Sequence, residues 1–237
     1  MRWEEHQAFA DRLQVPTECI LSVDVLTEPL HAGLLEGVDA LVLGGAGEYS
    51  VVDPEPPIRA LIDFVGETGD AGFPMFASCF GFQCLVVALG GEVIHDRKGA
   101  EVGSTWVNLS AEGQDDDLFG SLPARFVAQQ GHKDRASRLP SQAICMAHND
   151  AVPYQAIRLE NRPVFATQFH PELTGATNRQ RFERYIAQYG EVFGEQRANQ
   201  MLEEFLPSPE ASDLLRRFGA YLRGTRAEER ATPEEAS

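Results

Sequence analysis

The first ninety residues alternate between two hydrophobic patterns. Apolar residues at helical spacing predict helices, and short apolar runs bounded by glycine or proline predict buried strands. The predicted helices cover residues 3–13, 58–65 and 83–89, and the predicted strands cover residues 19–26, 38–43 and 73–78. Strands that alternate with helices in this way indicate a mostly parallel α/β sheet with helices on both faces.

The beginning of the chain departs from this alternation. A doubly wound sheet is expected to open with a hydrophobic strand, but residues 1–13 read as a charged amphipathic helix. Either the first strand precedes Met1 or the protein lacks it, and we favour the first explanation.

The second half of the chain has shorter apolar segments. A small antiparallel section is predicted over residues 92–109, and four further strands over residues 126–129, 143–147, 154–159 and 163–168. Helices follow over residues 181–189, 196–205 and 211–223. We therefore predict one α/β domain over residues 1–190, a helical extension over 191–224 and a disordered polar tail over 225–237.

Charge and composition restrict the classes of function. The 237 residues include 36 acidic and 20 basic side chains, for a formal net charge of −16. Such a surface repels phosphate backbones and anionic headgroups, which argues against nucleic-acid and membrane binding. Residues 84–89 form the longest apolar run, too short to span a bilayer, and the amino terminus has no signal-peptide core. We expect a cytoplasmic protein.

The four cysteines include one in a setting that suggests chemistry. In residues 73–81 (FPMFASCFG), an apolar strand leads through Cys79 into a helix. A strand-to-helix turn exposes the residue at its tip, and the helix amino terminus lowers the pKa of a cysteine placed there. Cys79 is therefore a candidate nucleophile, and a buried structural cysteine is the alternative.

A second segment offers a partner for that thiol. Residues 165–173 (FATQFHPEL) form a short strand that ends at His170, with Glu172 two positions later. The carboxylate can turn back onto the imidazole, fix its tautomer and stabilise its protonated form. The alternative is a surface turn in which the His-Pro-Glu sequence has no role.

A glycine turn is the third candidate element. Residues 43–51 (LGGAGEYSV) follow a predicted strand, and glycine amides can approach a ligand closely. Such a turn can donate to a developing oxyanion, as can the amide of Phe80 just after the cysteine. A phosphate loop is not indicated because neither dinucleotide nor Walker spacing is present, and a plain tight turn remains the alternative.

Together these segments resemble the class I (triad-type) glutamine amidotransferase domain, in particular stand-alone proteins similar to the amidotransferase half of GMP synthetase. The resemblance extends over roughly residues 18–190. The matching segments are residues 39–51, 73–91, 101–103, 132–134, 139–140 and 168–173. This family implies a flavodoxin-like α/β fold and hydrolysis of the glutamine side-chain amide through a γ-glutamyl thioester, with no metal or organic cofactor.

The resemblance also implies roles for individual residues. Cys79 would be the nucleophile, His170 the general base and acid, and Glu172 the residue that orients His170. The backbone amides of Gly45 and Phe80 would hold the oxyanion. The substrate-binding groups would be the side chain of Gln83 and the backbone around Lys133 and Asp134.

Three positions depart from the family pattern. Ala77 replaces the first glycine of the Gly-x-Cys-x-Gly elbow, Phe82 replaces a common histidine, and Ala46 replaces the proline that usually follows the two glycines. None of these changes removes a catalytic group. They bear on the identity of the substrate.

The destination of the released ammonia is open at this stage. No ATP-binding pattern is recognisable in the chain, so a separate synthetase chain could accept the ammonia. The alternatives are an autonomous hydrolase of γ-glutamyl amides or peptides, and a non-catalytic module that senses a ligand in the same pocket. The carboxy-terminal helices also make a homo-oligomer conceivable.

Overall fold

The computed structural model describes residues 2–96 and 99–231. The strands are β1 (Leu41–Leu43), β2 (Met75–Ser78), β3 (Glu92–His95), β4 (Glu101–Leu109), β5 (Arg125–His132), β6 (Asp134–Arg138), β7 (Ala143–His148), β8 (Ala156–Leu159) and β9 (Val164–Thr167). The α-helices are α1 (Arg2–Leu13), α2 (Pro56–Asp70), α3 (Phe80–Ala88), α4 (Ala111–Gln114), α5 (Gly175–Arg184), α6 (Ile186–Phe193), α7 (Glu195–Met201) and α8 (Pro209–Ala231).

A seven-stranded sheet in the order β1-β2-β9-β8-β7-β4-β5 forms the centre of the fold. β1, β2 and β9 pair in parallel, and each later neighbour in that order pairs antiparallel. Five strands (β1, β2, β9, β7 and β5) consequently run in one direction and two run in the other. The prediction of a mostly parallel sheet is confirmed. The antiparallel section predicted over residues 92–109 is divided between two sheets. β3 pairs with β6 in a separate two-stranded antiparallel ribbon, and β4 joins the seven-stranded sheet between β7 and β5.

The central strands are buried on both faces because helices cover each side. Along β2, Phe76 packs on the α1 and α8 side, whereas Met75 and Ala77 pack on the α2 and α3 side. On the neighbouring β9, Phe165 lies on the same side as Phe76. This alternation follows the two-residue period of a strand and confirms helices on both faces.

The segment after the His-Pro-Glu turn is helical, as predicted. Phe182 of α5 stacks on Tyr189 of α6, with ring centroids 4.4 Å apart. Phe205 meets Phe182 edge-on at 5.6 Å. α8 reaches Ala231, and residues 232–237 of the predicted tail lie outside the described residues. Residues 225–231, which the prediction placed in the disordered tail, are helical in the structure, whereas the division at residues 190 and 224 and the disorder of residues 232–237 remain predictions.

One predicted strand is wrong. Residues 19–26 contain the end of a short 3-10 helix (Thr17–Cys19) and then turns, and the described residues form no ladder with them. Leu21 and Leu26 are 73% and 48% exposed. A β-branched run becomes a strand only when it finds a neighbour, and β1 forms its ladder with β2 alone. A strand upstream of Met1 remains a prediction.

Strand β6 was missed by the sequence analysis. Its sequence, DRASR, is polar, yet Asp134 and Ala136 are buried while Arg138 is exposed. The hydrophobic pattern gave no signal because a carboxylate occupies one of the inward positions.

Among the described helices, none has the length and apolar character needed to cross a membrane.

Candidate active site

Cys79 lies at a tight turn between β2 and α3. Its backbone has φ 50° and ψ −102°, a strained conformation of the kind that occurs at functional turns. Its amide donates to the carbonyl of Thr167 at 2.7 Å. A Cβ atom on Gly81 would lie 2.6 Å from Cβ of Leu43, so only glycine fits after this turn. Ala77 lies in β2 without a positive φ, so its Cβ introduces no backbone strain.

His170 and Glu172 follow the end of β9 and form a buried pair. The amide of His170 donates to the carbonyl of Gln129 at 2.9 Å, which fixes the turn. Nδ1 of His170 donates to Oε1 of Glu172 at 2.5 Å. Each residue is only 3% exposed. The carboxylate therefore fixes the tautomer, and Nε2 is left for the thiol, as the i, i+2 spacing predicted.

The thiol of Cys79 adjoins the imidazole of His170, and its position affects the charge of the imidazole. Burial alone would lower the pKa of His170, but the charges of Cys79 and Glu172 and their hydrogen bonds raise it to about 10. Burial acts to raise the pKa of Glu172, but the charge and hydrogen bond of His170 lower it on balance. The site thus favours a protonated imidazole between two acidic groups.

The predicted oxyanion turn packs directly on the histidine. A Cβ atom on Gly45 would lie 2.7 Å from Cε1 of His170, so this position must be glycine. Gly44 similarly makes room for Glu5 of α1, because a Cβ at that position would overlap the Glu5 carboxyl group. The carbonyl of Gly44 accepts from the amide of Gly81 at 3.2 Å. The glycine turn and the cysteine turn are therefore joined.

The predicted substrate-binding residues lie together, but their polar groups are mostly paired. Nε2 of Gln83 donates to the carbonyl of Asp134 at 2.8 Å. The Asp134 carboxylate accepts from Ser50 at 2.7 Å and contacts Nδ1 of His95 at 2.6 Å. Lys133 is exposed. The structure brings the Gln83 side chain to the backbone of Asp134, and the backbone carbonyl of the adjacent Lys133 accepts from the amide of Asp96 at 3.0 Å.

Three residues at the site were given no role by the sequence analysis. Nε2 of Gln168 points to Sγ of Cys79 at 3.9 Å. Ser78 donates to Oε2 of Glu172 at 3.2 Å. Glu5 has a raised pKa, caused first by burial and then by the charge of Glu172. Gln168 and Ser78 lie within the segments that resemble the family, whereas Glu5 comes from a distant helix and carried no signal.

No group of three or more His, Cys, Asp or Glu side chains in the described ranges is arranged to hold a metal ion. The fold and the three buried side chains define an α/β protein with a Cys-His-Glu site at the carboxyl ends of two parallel strands.

Comparison with known proteins places the chain in a family. The family model described as "Glutamine amidotransferase class-I" matches residues 16–186. The chain belongs to this family. This membership supports a glutamine-hydrolysing enzyme, and it confirms the resemblance on which the residue roles were predicted.

Two subunits of known name are similar to this chain over most of their length. One subunit of the glutamine-hydrolysing GMP synthase of Thermoplasma volcanium is 27% identical over 179 residues, which cover 73% of this chain and 83% of that protein. The protein of the same name from Thermoplasma acidophilum is 30% identical over 159 residues, covering 65% and 74%. The chain covers only 24% of the longer GMP synthase of Thermosipho melanesiensis, at 33% identity.

Solved structures share the fold. A glutamine amidotransferase from Thermotoga maritima aligns with a TM-score of 0.60 and 23% identity, over 79% of each chain. One from Methylobacillus flagellatus aligns with a TM-score of 0.66 and 17% identity, over 98% of this chain and 91% of that one. At these identities the likeness concerns the architecture alone.

Proposed function

We propose that the protein hydrolyses the side-chain amide of glutamine through a thioester at Cys79 and releases ammonia. The observation that carries this proposal is the buried contact of Cys79, His170 and Glu172, in which Glu172 leaves Nε2 of His170 directed to the thiol. A cysteine nucleophile and a His base oriented by a carboxylate are the groups that amide hydrolysis requires.

The first half of the reaction forms the thioester. The Cys79 thiolate, paired with the His170 imidazolium, attacks the amide carbon, and the carbonyl electron pair moves onto oxygen. The amides of Gly45 and Phe80 are the donors proposed for that oxyanion. When the intermediate collapses, the C–N bond breaks, and His170 gives its Nε2 proton to the departing nitrogen, which leaves as ammonia.

The second half of the reaction hydrolyses the thioester and regenerates the free Cys79 thiolate. Neutral His170 takes a proton from water, whose oxygen attacks the thioester carbon. Collapse breaks the C–S bond, restores the thiolate beside the imidazolium and yields glutamate, whose carboxyl proton passes to solvent. The sum is glutamine plus water to glutamate plus ammonia and one proton, which combine in solution as ammonium. Burial of His170 and Glu172 supports these steps, since charge interactions strengthen where water is excluded.

We further propose that a separate synthetase chain accepts the ammonia. The names of the two Thermoplasma relatives describe each as one subunit of a glutamine-hydrolysing GMP synthase. This chain covers most of their length, so it is comparable to the whole of that subunit. Glutamine is the substrate and a synthetase of nucleotide metabolism the partner that this similarity supports.

The test compares glutamine hydrolysis by the wild type with hydrolysis by Cys79→Ala, with Cys145→Ala as the matched control. Cys145 is a partly exposed thiol that donates to the carbonyl of Ala147 in β7. We expect Cys79→Ala to lose ammonia release while retaining its circular-dichroism spectrum, and Cys145→Ala to keep the activity. Turnover retained in Cys79→Ala would refute the mechanism.

The same assay, repeated with an added synthetase chain, tests whether a separate chain accepts the ammonia. Ammonia release that rises when a synthetase chain is added supports a role as one subunit of a larger enzyme. Full activity of the lone protein with no response to that chain favours the autonomous γ-glutamyl hydrolase. Inactivity in both conditions, with glutamine still bound, favours the ligand-sensing module.

A further inference from the structure

The residue before the nucleophile makes a contact that the reaction steps above do not use. Ser78 is the last residue of β2 and is fully buried, at 0% exposed. Its hydroxyl lies 3.2 Å from Oε2 of Glu172 and 3.3 Å from the carbonyl oxygen of Leu43. One hydroxyl proton can serve only one acceptor at a time. A carboxylate is the stronger acceptor, so the proton favours Glu172.

With this contact, both oxygens of the Glu172 carboxylate are engaged. Oε1 accepts from His170 and Oε2 from Ser78. The last side-chain torsion of a glutamate adopts a broad range of angles when nothing restrains it. Rotation about that bond would move Oε1 away from Nδ1 of His170. A second hydrogen bond on the opposite oxygen restrains that rotation.

We infer that Ser78 is a positioning residue, which holds the Glu172 carboxylate in the plane that directs His170 towards Cys79. The inference rests on the proposed function, because it assigns Ser78 a role through the proposed acid and base. Ser78 itself touches neither the substrate nor the thiol in this scheme. The alternative acceptor, Leu43, ends β1 just before the glycine turn, so the same hydroxyl also adjoins the proposed oxyanion segment.

Other charged groups face Glu172, and the test must leave them unchanged. His170 lies on the same segment, Arg181 on α5 acts to lower the Glu172 pKa, and Glu5 on α1 adds a second carboxyl. Replacement of Ser78 by alanine removes no charge. Any change in the titration of His170 would therefore come from the lost hydrogen bond.

The experiment compares the wild type with Ser78→Ala, Ser78→Thr and the control Thr68→Val. Thr68 is a buried hydroxyl at 4% exposure that donates to the carbonyl of Phe64 within α2. Two quantities are measured: the His170 pKa, by NMR of the labelled imidazole, and the pH profiles of kcat and KM for glutamine hydrolysis.

We expect Ser78→Ala to lower the His170 pKa and to reduce kcat about tenfold, the effect of one lost hydrogen bond to a charged group, with KM nearly unchanged. Without the Ser78 hydrogen bond the Glu172 carboxylate can rotate, Oε1 contacts Nδ1 of His170 for less of the time, and the imidazolium is supported less well. Ser78→Thr should restore both quantities. Thr68→Val should lower only the unfolding midpoint.

A His170 pKa and a kcat profile that are unchanged in a folded Ser78→Ala would overturn the inference. If Ser78→Ala does not fold, Ser78→Cys keeps the volume with a weak donor, and the same unchanged values there would overturn it. The NMR titration needs no turnover. If Ser78→Ala lowers the His170 pKa but the wild type hydrolyses no glutamine, the positioning role of Ser78 is supported and the proposed function is refuted.

Discussion

The proposed catalytic corner and a second cluster nearby, the polar ribbon contact, each combine a serine, a carboxylate and a histidine, but they differ in what surrounds the histidine. The catalytic corner consists of Ser78, Cys79, His170 and Glu172. Ser78 and Nδ1 of His170 donate to the two oxygens of Glu172, and the second nitrogen of the imidazole is left for the Cys79 thiol. The polar ribbon contact consists of Ser50, His95 and Asp134, and its carboxylate is paired on both oxygens.

This difference separates chemistry from support. The imidazole of the corner is buried and has the Cys79 thiol beside it, whereas the ribbon contact joins the loop after the glycine turn to β3 and β6. A side chain of 53% exposure, His95, completes the ribbon contact, so water can compete there. We therefore expect substitutions in the corner to act on kcat and substitutions in the ribbon contact to act on KM.

Glu172→Gln disrupts the corner most directly, and we expect it to cause the largest decrease in kcat among these variants. The amide keeps the shape but removes the charge that supports the His170 imidazolium, so the His170 pKa should fall from about 10. Loss of the orienting carboxylate should lower kcat by about 10³-fold or more. Steady-state glutaminase assays test this prediction. A decrease in kcat of less than about tenfold would contradict the proposed role of Glu172 in orienting His170.

Gly45→Ala tests whether the glycine turn must pack on the histidine. The added Cβ would lie 2.7 Å from Cε1 of His170 and should displace the ring. Misplacement of a catalytic group by about 1 Å typically lowers the rate about 10²-fold. Gly47→Ala is the matched control, because its Cβ would meet no atom within 4 Å. Equal rates for the two variants would contradict the packing argument.

Asp134→Asn should affect the ribbon contact and leave the corner intact. The substitution weakens the bonds to Ser50 and His95, so we expect a loss of about 1–3 kcal/mol in the free energy of unfolding. The loop after the glycine turn should loosen, raise KM severalfold and leave kcat within about twofold. Urea unfolding and kinetics measure both, and a fall in kcat alone would place Asp134 in the corner instead.

Glu5→Gln should have the smallest effect and a defined dependence on pH. Burial and then the charge of Glu172 raise the Glu5 pKa above its ordinary value of 4.5. Above pH 4.5 the native state therefore keeps a proton that the unfolded chain has lost, and stability falls as pH rises. The thermal midpoint of Glu5→Gln relative to wild type should rise from pH 4.5 upwards. A constant difference would contradict the raised pKa.

The sequence predicted the corner better than its surroundings. Cys79, His170 and Glu172 were found because local rules govern them: a strand that turns into a helix exposes one residue, and an i, i+2 pair folds back on itself. The α1, α2, α3 and β9 elements were also recognised, because each carries its own hydrophobic period.

The residues that were missed depend on contacts between distant segments. Ser78 meets Glu172 across 94 positions of sequence, and Ser50 meets Asp134 across 84. Residues 19–26 have strand composition but no neighbour in the described sheet, and β6 is a strand without strand composition. In each case the pairing partner decides the outcome, and no local pattern contains that information.

The most direct test of the central claim is covalent labelling with a diazo-ketone analogue of glutamine, followed by mass-spectrometric peptide mapping. The account predicts one modified residue, Cys79, with labelling that excess glutamine prevents and that His170→Ala slows strongly. Labelling at Cys19 or Cys145 with Cys79 unmodified, or equal rates with and without the His170 imidazole, would contradict it.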